Sequence, residues 1–119
     1  MGRFVILIHE RLDGDKPGIH WDLMLEAGDV LRTWRLAAPP QPGTVVAAAA
    51  TFDHRRRYLD YEGPVSGNRG RVVRWDHGTF SWQKTENDHL AVELNGMRLR
   101  GSVALKRAEG GEWALTFGT

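Results

Sequence analysis

The sequence predicts an all-β fold: a small single-domain β-barrel, closed or nearly closed, with short strands and little helix. Three observations predict it. Short runs of strand character recur about every 8–12 residues between Gly- and Pro-rich breaks. No window of ten or more residues holds a clean helical period. Trp21–Leu25 alternates strictly, with Trp21, Leu23 and Leu25 on one face and His20, Asp22 and Met24 on the other. Closure is favoured because it removes exposed strand edges.

Each element has its own justification. Phe4–Ile8 is continuously apolar, as a strand buried on both faces must be. Trp21–Leu25 and Val30–Leu36 follow. Thr44–Phe52 carries the run Ala47–Ala50 beside Val45 and Val46. It reads as a small-residue core strand, because charge resumes at Asp53. Arg71–Trp75, Thr79–Gln83, Leu90–Leu94, Arg98–Leu105 and Glu112–Phe117 complete the set. The breaks are Glu10–Gly18, Ala37–Gly43, Gly63–Gly70 and Glu109–Gly111. The prolines of the second deny backbone donors and stop regular structure. With no repeat and no long linker, residues 1–119 read as one domain.

Composition narrows the classes of function. At 119 residues there is room for a barrel but not for a ligase or polymerase. Sixteen Lys+Arg against fifteen Asp+Glu give a net charge of +1, which excludes a bulk polycation but not a local basic patch. The absence of cysteine excludes thiolate zinc sites, iron–sulfur clusters and cysteine nucleophiles. No run approaches the length of a membrane span, and Phe4–Ile8 lacks the flanks of a signal peptide. A cytoplasmic protein without membrane contact is the expectation.

The chemistry-bearing residues cluster. His20 and Asp22 are two apart on a strand and share a face. His9 ends the first apolar strand, where a polar ring is unexpected. Two imidazoles and one carboxylate, brought together by neighbouring strands, would hold a divalent ion and leave positions open for water or substrate. On spacing alone this competes with three ordinary structural residues. Asp53-His54-Arg55-Arg56-Arg57-Tyr58 places three arginines beside an imidazole and a phenol, a set able to grip phosphate. The competing reading is a solvated turn. Between Arg55 and Arg74 six arginines face two acids, so positive charge is concentrated there. His77 and His89 lie in turn-like contexts and are assigned to the surface.

Taken in order, these residues resemble the 3′-phosphoesterase domain of bacterial DNA ligase D and its stand-alone relatives. The resemblance runs through Phe4-Val5 to His9, His20-Trp21-Asp22-Leu23-Met24-Leu25-Glu26 and Leu31-Arg32-Thr33-Trp34. It continues through Asp53-His54, Tyr58-Leu59-Asp60-Tyr61-Glu62-Gly63, the hairpin-like Trp75-Asp76-His77-Gly78-Thr79 and the tail Leu94 to Leu115. It implies a compact β-barrel and a phosphoesterase dependent on a divalent metal, Mn²⁺ by preference. Such an enzyme removes 3′-phosphates or 3′-terminal ribonucleotides during DNA end repair. His9, His20 and Asp22 fall on the metal ligands of the family, and His54 and Tyr58 on its phosphate-contacting residues. Asp60 and Glu62, two and four residues beyond Tyr58, would share its face on a strand and either orient the ligands or simply face solvent. The partners implied are DNA 3′ ends and a separate repair ligase or polymerase.

The chain also departs from the pattern. Met24 stands where the family has an active-site arginine, and Val46 stands where it has another. Glu10–Gly18 holds an inserted loop. Arg35, Arg55, Arg56 and Arg57 are the candidates to replace the missing guanidinium groups. The alternative is a non-catalytic metal- and nucleic-acid-binding module that docks on a repair ligase or polymerase.

Overall fold

The computed structural model describes residues 1–11, 18–67 and 69–118. Nine strands make up one antiparallel sheet among these residues: β1 (Gly2–Arg11), β2 (Gly18–Ala27), β3 (Val30–Leu36), β4 (Val45–Arg55), β5 (Gly63–Pro64), β6 (Arg71–Glu86), β7 (His89–Gly96), β8 (Arg100–Arg107) and β9 (Trp113–Gly118). The order is β1-β2-β3-β4-β9-β8-β7-β6-β5, and β1 also pairs with β6. Hydrogen-bonded pairing therefore runs round a closed circuit, with short β5 attached outside it on β6. The only helix among the described residues is a single 3₁₀ turn, Arg56–Leu59. None is long and apolar enough to cross a membrane.

The all-β expectation holds, although most strands run beyond their expected bounds, short β5 falls in an expected break, and two expected strands merge. Arg71–Trp75 and Thr79–Gln83, read as two strands, are parts of one 16-residue strand, β6. Asp76 and Gly78 look like turn residues in the sequence, but both serve the sheet. Asp76 accepts backbone hydrogen bonds. At Gly78 a Cβ would fall 2.2 Å from the Asn95 carbonyl oxygen, so only glycine permits the close approach of β7. His77 therefore lies half-buried in a strand rather than in a surface turn, and half-buried His89 opens β7. The loop proposed as an insertion at Glu10–Gly18 lies, apart from its ends, outside the described residues.

Alternation along β1 and β2 creates two apolar layers. Phe4 and Ile6, with Leu23 and Leu25, join Trp34, Leu94 and Leu115 in the interior. Val5, Leu7 and Met24 point the other way. They pack with Leu31, Leu59 and Val72 beneath Tyr58, Tyr61 and Val65. This second layer explains why β1 is apolar on both faces. It also draws the 3₁₀ turn and the segment leading to β6 over the outside of β1–β3. His9, two residues after Leu7, continues the outer row, as do His20 and Asp22 beside Met24.

Two local features set the walls of this outer face. In β3–β4 pairing, Leu31 faces His54 and Thr33 faces Thr51, so Phe52 and Asp53 together oppose Arg32. This is a β-bulge, a device that re-aims side chains. Val46, before the bulge, lies in the interior layer on the opposite side of the sheet from His54. Gly70 is the second feature. Its φ is +93°, and a Cβ there would lie 1.7 Å from the Glu10 carbonyl oxygen. The chain before β6 can therefore lie directly against β1.

Candidate active site

The register of β1 and β2 brings the expected ligands together. His9 pairs with His20, and Leu7 with Asp22. One donor atom from each of His9, His20 and Asp22 lies within 4.8 Å of the others. His20 Nε2 is 3.1 Å from both oxygens of Asp22. His9 Nδ1 stands 3.7 Å from the same carboxylate. The other nitrogen of His9, Nε2, donates to the Arg69 carbonyl at 2.9 Å. That bond fixes the ring so that Nδ1 faces the cluster, the arrangement that metal-binding imidazoles require.

The electrostatics suit a cation. Asp22 is only 5% exposed. Burial alone would raise its pKa, but the hydrogen bonds and charges of His20 and His9 outweigh it and hold the carboxyl at about 2. The His9 pKa is raised, chiefly by its bond to Asp22 and against the effect of burial. A buried carboxylate between two imidazoles is a nitrogen–oxygen donor set that fits a borderline or hard divalent ion.

Beside the cluster lies a cavity of about 300 Å³. Its walls include His9, Asp22, Met24, Arg35, His54 and Tyr58, so it joins the three candidate ligands' neighbourhood to the two candidate phosphate contacts. Arg35 sits opposite Asp22 in the β2–β3 register. His54 is half-buried. Its Nδ1 is 2.9 Å from Thr33 Oγ1, and that hydroxyl donates to the Leu31 carbonyl at 3.1 Å. The Thr33 proton is thereby committed, so His54 Nδ1–H donates to Oγ1 and Nε2 carries the lone pair of the neutral ring. Burial lowers the His54 pKa, against the opposing pull of Asp22 and Asp53. Tyr58 stands edge-on to His54, with ring centres 5.6 Å apart.

The arginines divide. Arg35 and Arg55 line the cavity. Arg56 and Arg57 do not take the phosphate-facing places expected of them. The Arg56 guanidinium is ion-paired with Glu26. Arg57 lies over the rings of Tyr58 and Tyr61, 4.5 Å from the centre of the second. The strand-like spacing assumed for Tyr58, Asp60 and Glu62 fails because the chain turns through a 3₁₀ helix. Asp60 instead binds Arg3 at 2.7 Å, and Glu62 accepts from the Arg74 amide at 2.8 Å. Arg11 and Arg69, which are not among the expected site residues, also line the cavity. For Arg11 the signal was present: it is two residues beyond His9 on the same strand and so shares its face. Arg69 arrives through the backbone path that Gly70 permits, and local sequence carries no sign of that.

This geometry can be set beside known proteins. A family model described as the DNA Ligase D 3'-phosphoesterase domain matches residues 13–107. The chain is 33% identical over 103 residues to the multifunctional non-homologous end joining DNA repair protein LigD of Mycobacterium tuberculosis, covering 79% of this chain and 14% of that protein. It is 29% identical over 103 residues to LigD of Pseudomonas aeruginosa, covering 78% of this chain and 12% of that one. The chain thus spans a small fraction of the length of these relatives. The match nevertheless extends from before β2 into the end of β8, taking in His20, Asp22, His54 and Tyr58, and on this evidence the chain belongs to the DNA ligase D 3′-phosphoesterase domain family.

Proposed function

We propose that this chain is a divalent-metal-dependent phosphoesterase, with Mn²⁺ the expected ion. It would remove the 3′-phosphate or 3′-terminal ribonucleotide from DNA ends before they are joined. One observation carries the reading: His9, His20 and Asp22 converge at the edge of a cavity that also presents His54, Tyr58 and four arginines. Bound by those three ligands, a divalent ion supplies positive charge for the phosphoryl oxygens and acidifies water.

The chain's own groups do the rest. Arg35 and Arg55 neutralise the phosphate and take over the place of the guanidinium absent at Met24. Tyr58 limits the rotation of the phosphate against His54. Water attacks phosphorus, the bond from phosphorus to the 3′ oxygen breaks, and His54 Nε2–H gives its proton to that oxygen. The neutral form of His54 prevails in the free protein at pH 7, because burial disfavours the imidazolium. A dianionic phosphate in the cavity reverses that balance, and the ring takes up its proton as substrate enters. Histidine NMR titration checks this. His54 is expected to titrate below 6.5 in the free protein and to move upward when inorganic phosphate is added. An unmoved midpoint would remove His54 from the phosphate site.

The direct test is turnover. Purified protein with Mn²⁺ is expected to convert a primer–template carrying a 3′-phosphate to a 3′-hydroxyl end, and to remove a 3′-terminal ribonucleotide. Absence of product on both ends with any divalent ion would sink the proposal. A second reading has its own support. Met24, at the position of the family arginine, is fully buried among Val5, Leu7 and Leu31 and offers phosphate no donor. A metal- and DNA-binding module without turnover, docked on a repair ligase or polymerase, would bind DNA ends in a salt-dependent way and leave every 3′ end unchanged.

A further inference from the structure

Phe52 is 70% exposed, and its ring is stacked on His54 with centres 4.6 Å apart and planes inclined by 19°. A single exposed aromatic ring is ordinary. This one is placed by the β-bulge at the rim of the cavity that holds His54, Arg35 and Arg55. One face of the ring is covered by the imidazole. The strand it belongs to is also open on its far side: β4 pairs with β9 only from Val45 to Ala48, so Ala49–Arg55 have no partner there among the described residues. An aromatic ring beside a cationic phosphate site, open to an approaching strand, has the layout of a base-stacking platform.

We propose that Phe52 stacks the base of the nucleotide at the 3′ end, extending the His54–Phe52 pair into a column of three rings. The inference rests on the 3′-end reading above and adds a contact to it. The phosphate enters the cavity, the sugar crosses its rim, and the base lies on the ring two residues before His54. Stacking on a π-face does not distinguish the four bases by hydrogen bonding. The site is therefore tolerant of sequence at the end it processes, as an enzyme that cleans arbitrary breaks requires.

The test is equilibrium binding to primer–templates ending in a 3′-hydroxyl, where there is no phosphate to remove, with the terminal base either present or abasic. The wild-type protein is expected to bind the base-bearing end about tenfold more tightly. Phe52→Ala is expected to bring the two affinities together, and Phe52→Leu to do the same although it keeps an apolar contact with His54. Phe52→Trp is expected to retain the preference. Equal affinity of the wild type for both ends would overturn the proposal. Equal weakening of both ends by Phe52→Ala would overturn it too, because the ring would then be only a prop for His54. Should the protein turn over no 3′-phosphate while the base preference depends on Phe52, the phosphoesterase reading falls and the stacking site stands.

Discussion

Replacing Asp22 with alanine is expected to abolish metal binding and to reduce 3′-phosphate removal more than about 100-fold. Residues that only support a metal ligand typically cost 10- to 100-fold when removed, and Asp22 is the one carboxylate of the three-donor cluster. It also faces both imidazoles. His20 Nε2 bonds its oxygens at 3.1 Å, and hydrogen bonding to this carboxylate is the main reason the His9 pKa is raised, against the effect of burial. The variant leaves two imidazoles with no anion between them. Mn²⁺ should raise the thermal midpoint of the wild type, because a ligand that binds only the folded state stabilises it by mass action. The same addition should leave Asp22→Ala unmoved. The fold itself pays a moderate cost. A folded pKa of about 2 against the ordinary 3.8 corresponds to about 2 kcal/mol at neutral pH. The sign follows from the lowered value: this stability is present above 3.8 and is lost as pH falls through about 2. Asp22→Asn keeps much of the shape and separates the two effects, since it should fold better than the alanine variant yet bind metal no better. A metal-induced shift of the midpoint surviving in both variants would remove Asp22 from the site.

How far such a site is legible in sequence depends on how local its causes are. His20 and Asp22 were visible because strand alternation is local: two residues apart means one face. His9 was visible as a polar ring at the end of an apolar run, and the pairing of β1 with β2 supplies what spacing alone lacked. The 3₁₀ turn was not visible. Tyr58, Asp60 and Glu62 are spaced as a strand face, but the turn at Arg56–Leu59 breaks the period and sends Asp60 to Arg3. The arginine run shows the same limit, since its members part in the fold and only Arg55 lines the cavity. Arg56 and Arg57 are satisfied by Glu26 and by two tyrosine rings, partners that only the folded chain brings near. Arg69 reaches the cavity through backbone contact at Gly70, which depends on a glycine's missing Cβ rather than on any side chain. Phe52 was legible in principle, two residues before His54. The bulge that gives it its place, however, is a property of pairing with β3.

The motif Trp75-Asp76-His77-Gly78-Thr79 gives the largest expected effect on stability. Asp76 is 1% exposed and accepts four backbone hydrogen bonds. Its Oδ1 receives the amides of His77 at 2.9 Å, Met97 at 2.8 Å and Arg98 at 2.9 Å, and its Oδ2 receives Leu99 at 2.9 Å. One side chain on β6 thus holds the whole corner between β7 and β8. Gly96 makes room for it, since a Cβ there would lie 2.4 Å from Oδ2. Alanine at position 76 takes this acceptor from four amides, the Leu99 amide buried and the other three part-buried, and each buried group left unsatisfied costs roughly 1–3 kcal/mol. Water entering the gap offsets part of the sum, so the expected loss is about 3–5 kcal/mol. Domains of this class are stable by only about 5–15 kcal/mol. The midpoint of thermal unfolding should therefore drop by roughly 10–20 °C, on the scale of about 4 °C per kcal/mol. Asp76→Asn should cost less than alanine, because its carbonyl oxygen can keep the three bonds made at Oδ1 while its NH2 turns a donor toward the Leu99 amide alone. Urea unfolding measures both, and a loss below about 1 kcal/mol for the alanine variant would show that the corner is held by something else. The site should survive in whatever fraction stays folded. Asp76 ties the middle of β6 to the β7–β8 corner, whereas His9 faces Val72 near the start of the strand, beside the cavity. Metal affinity per folded molecule is therefore expected to remain at the wild-type level, the reverse of the pattern expected for Asp22→Ala.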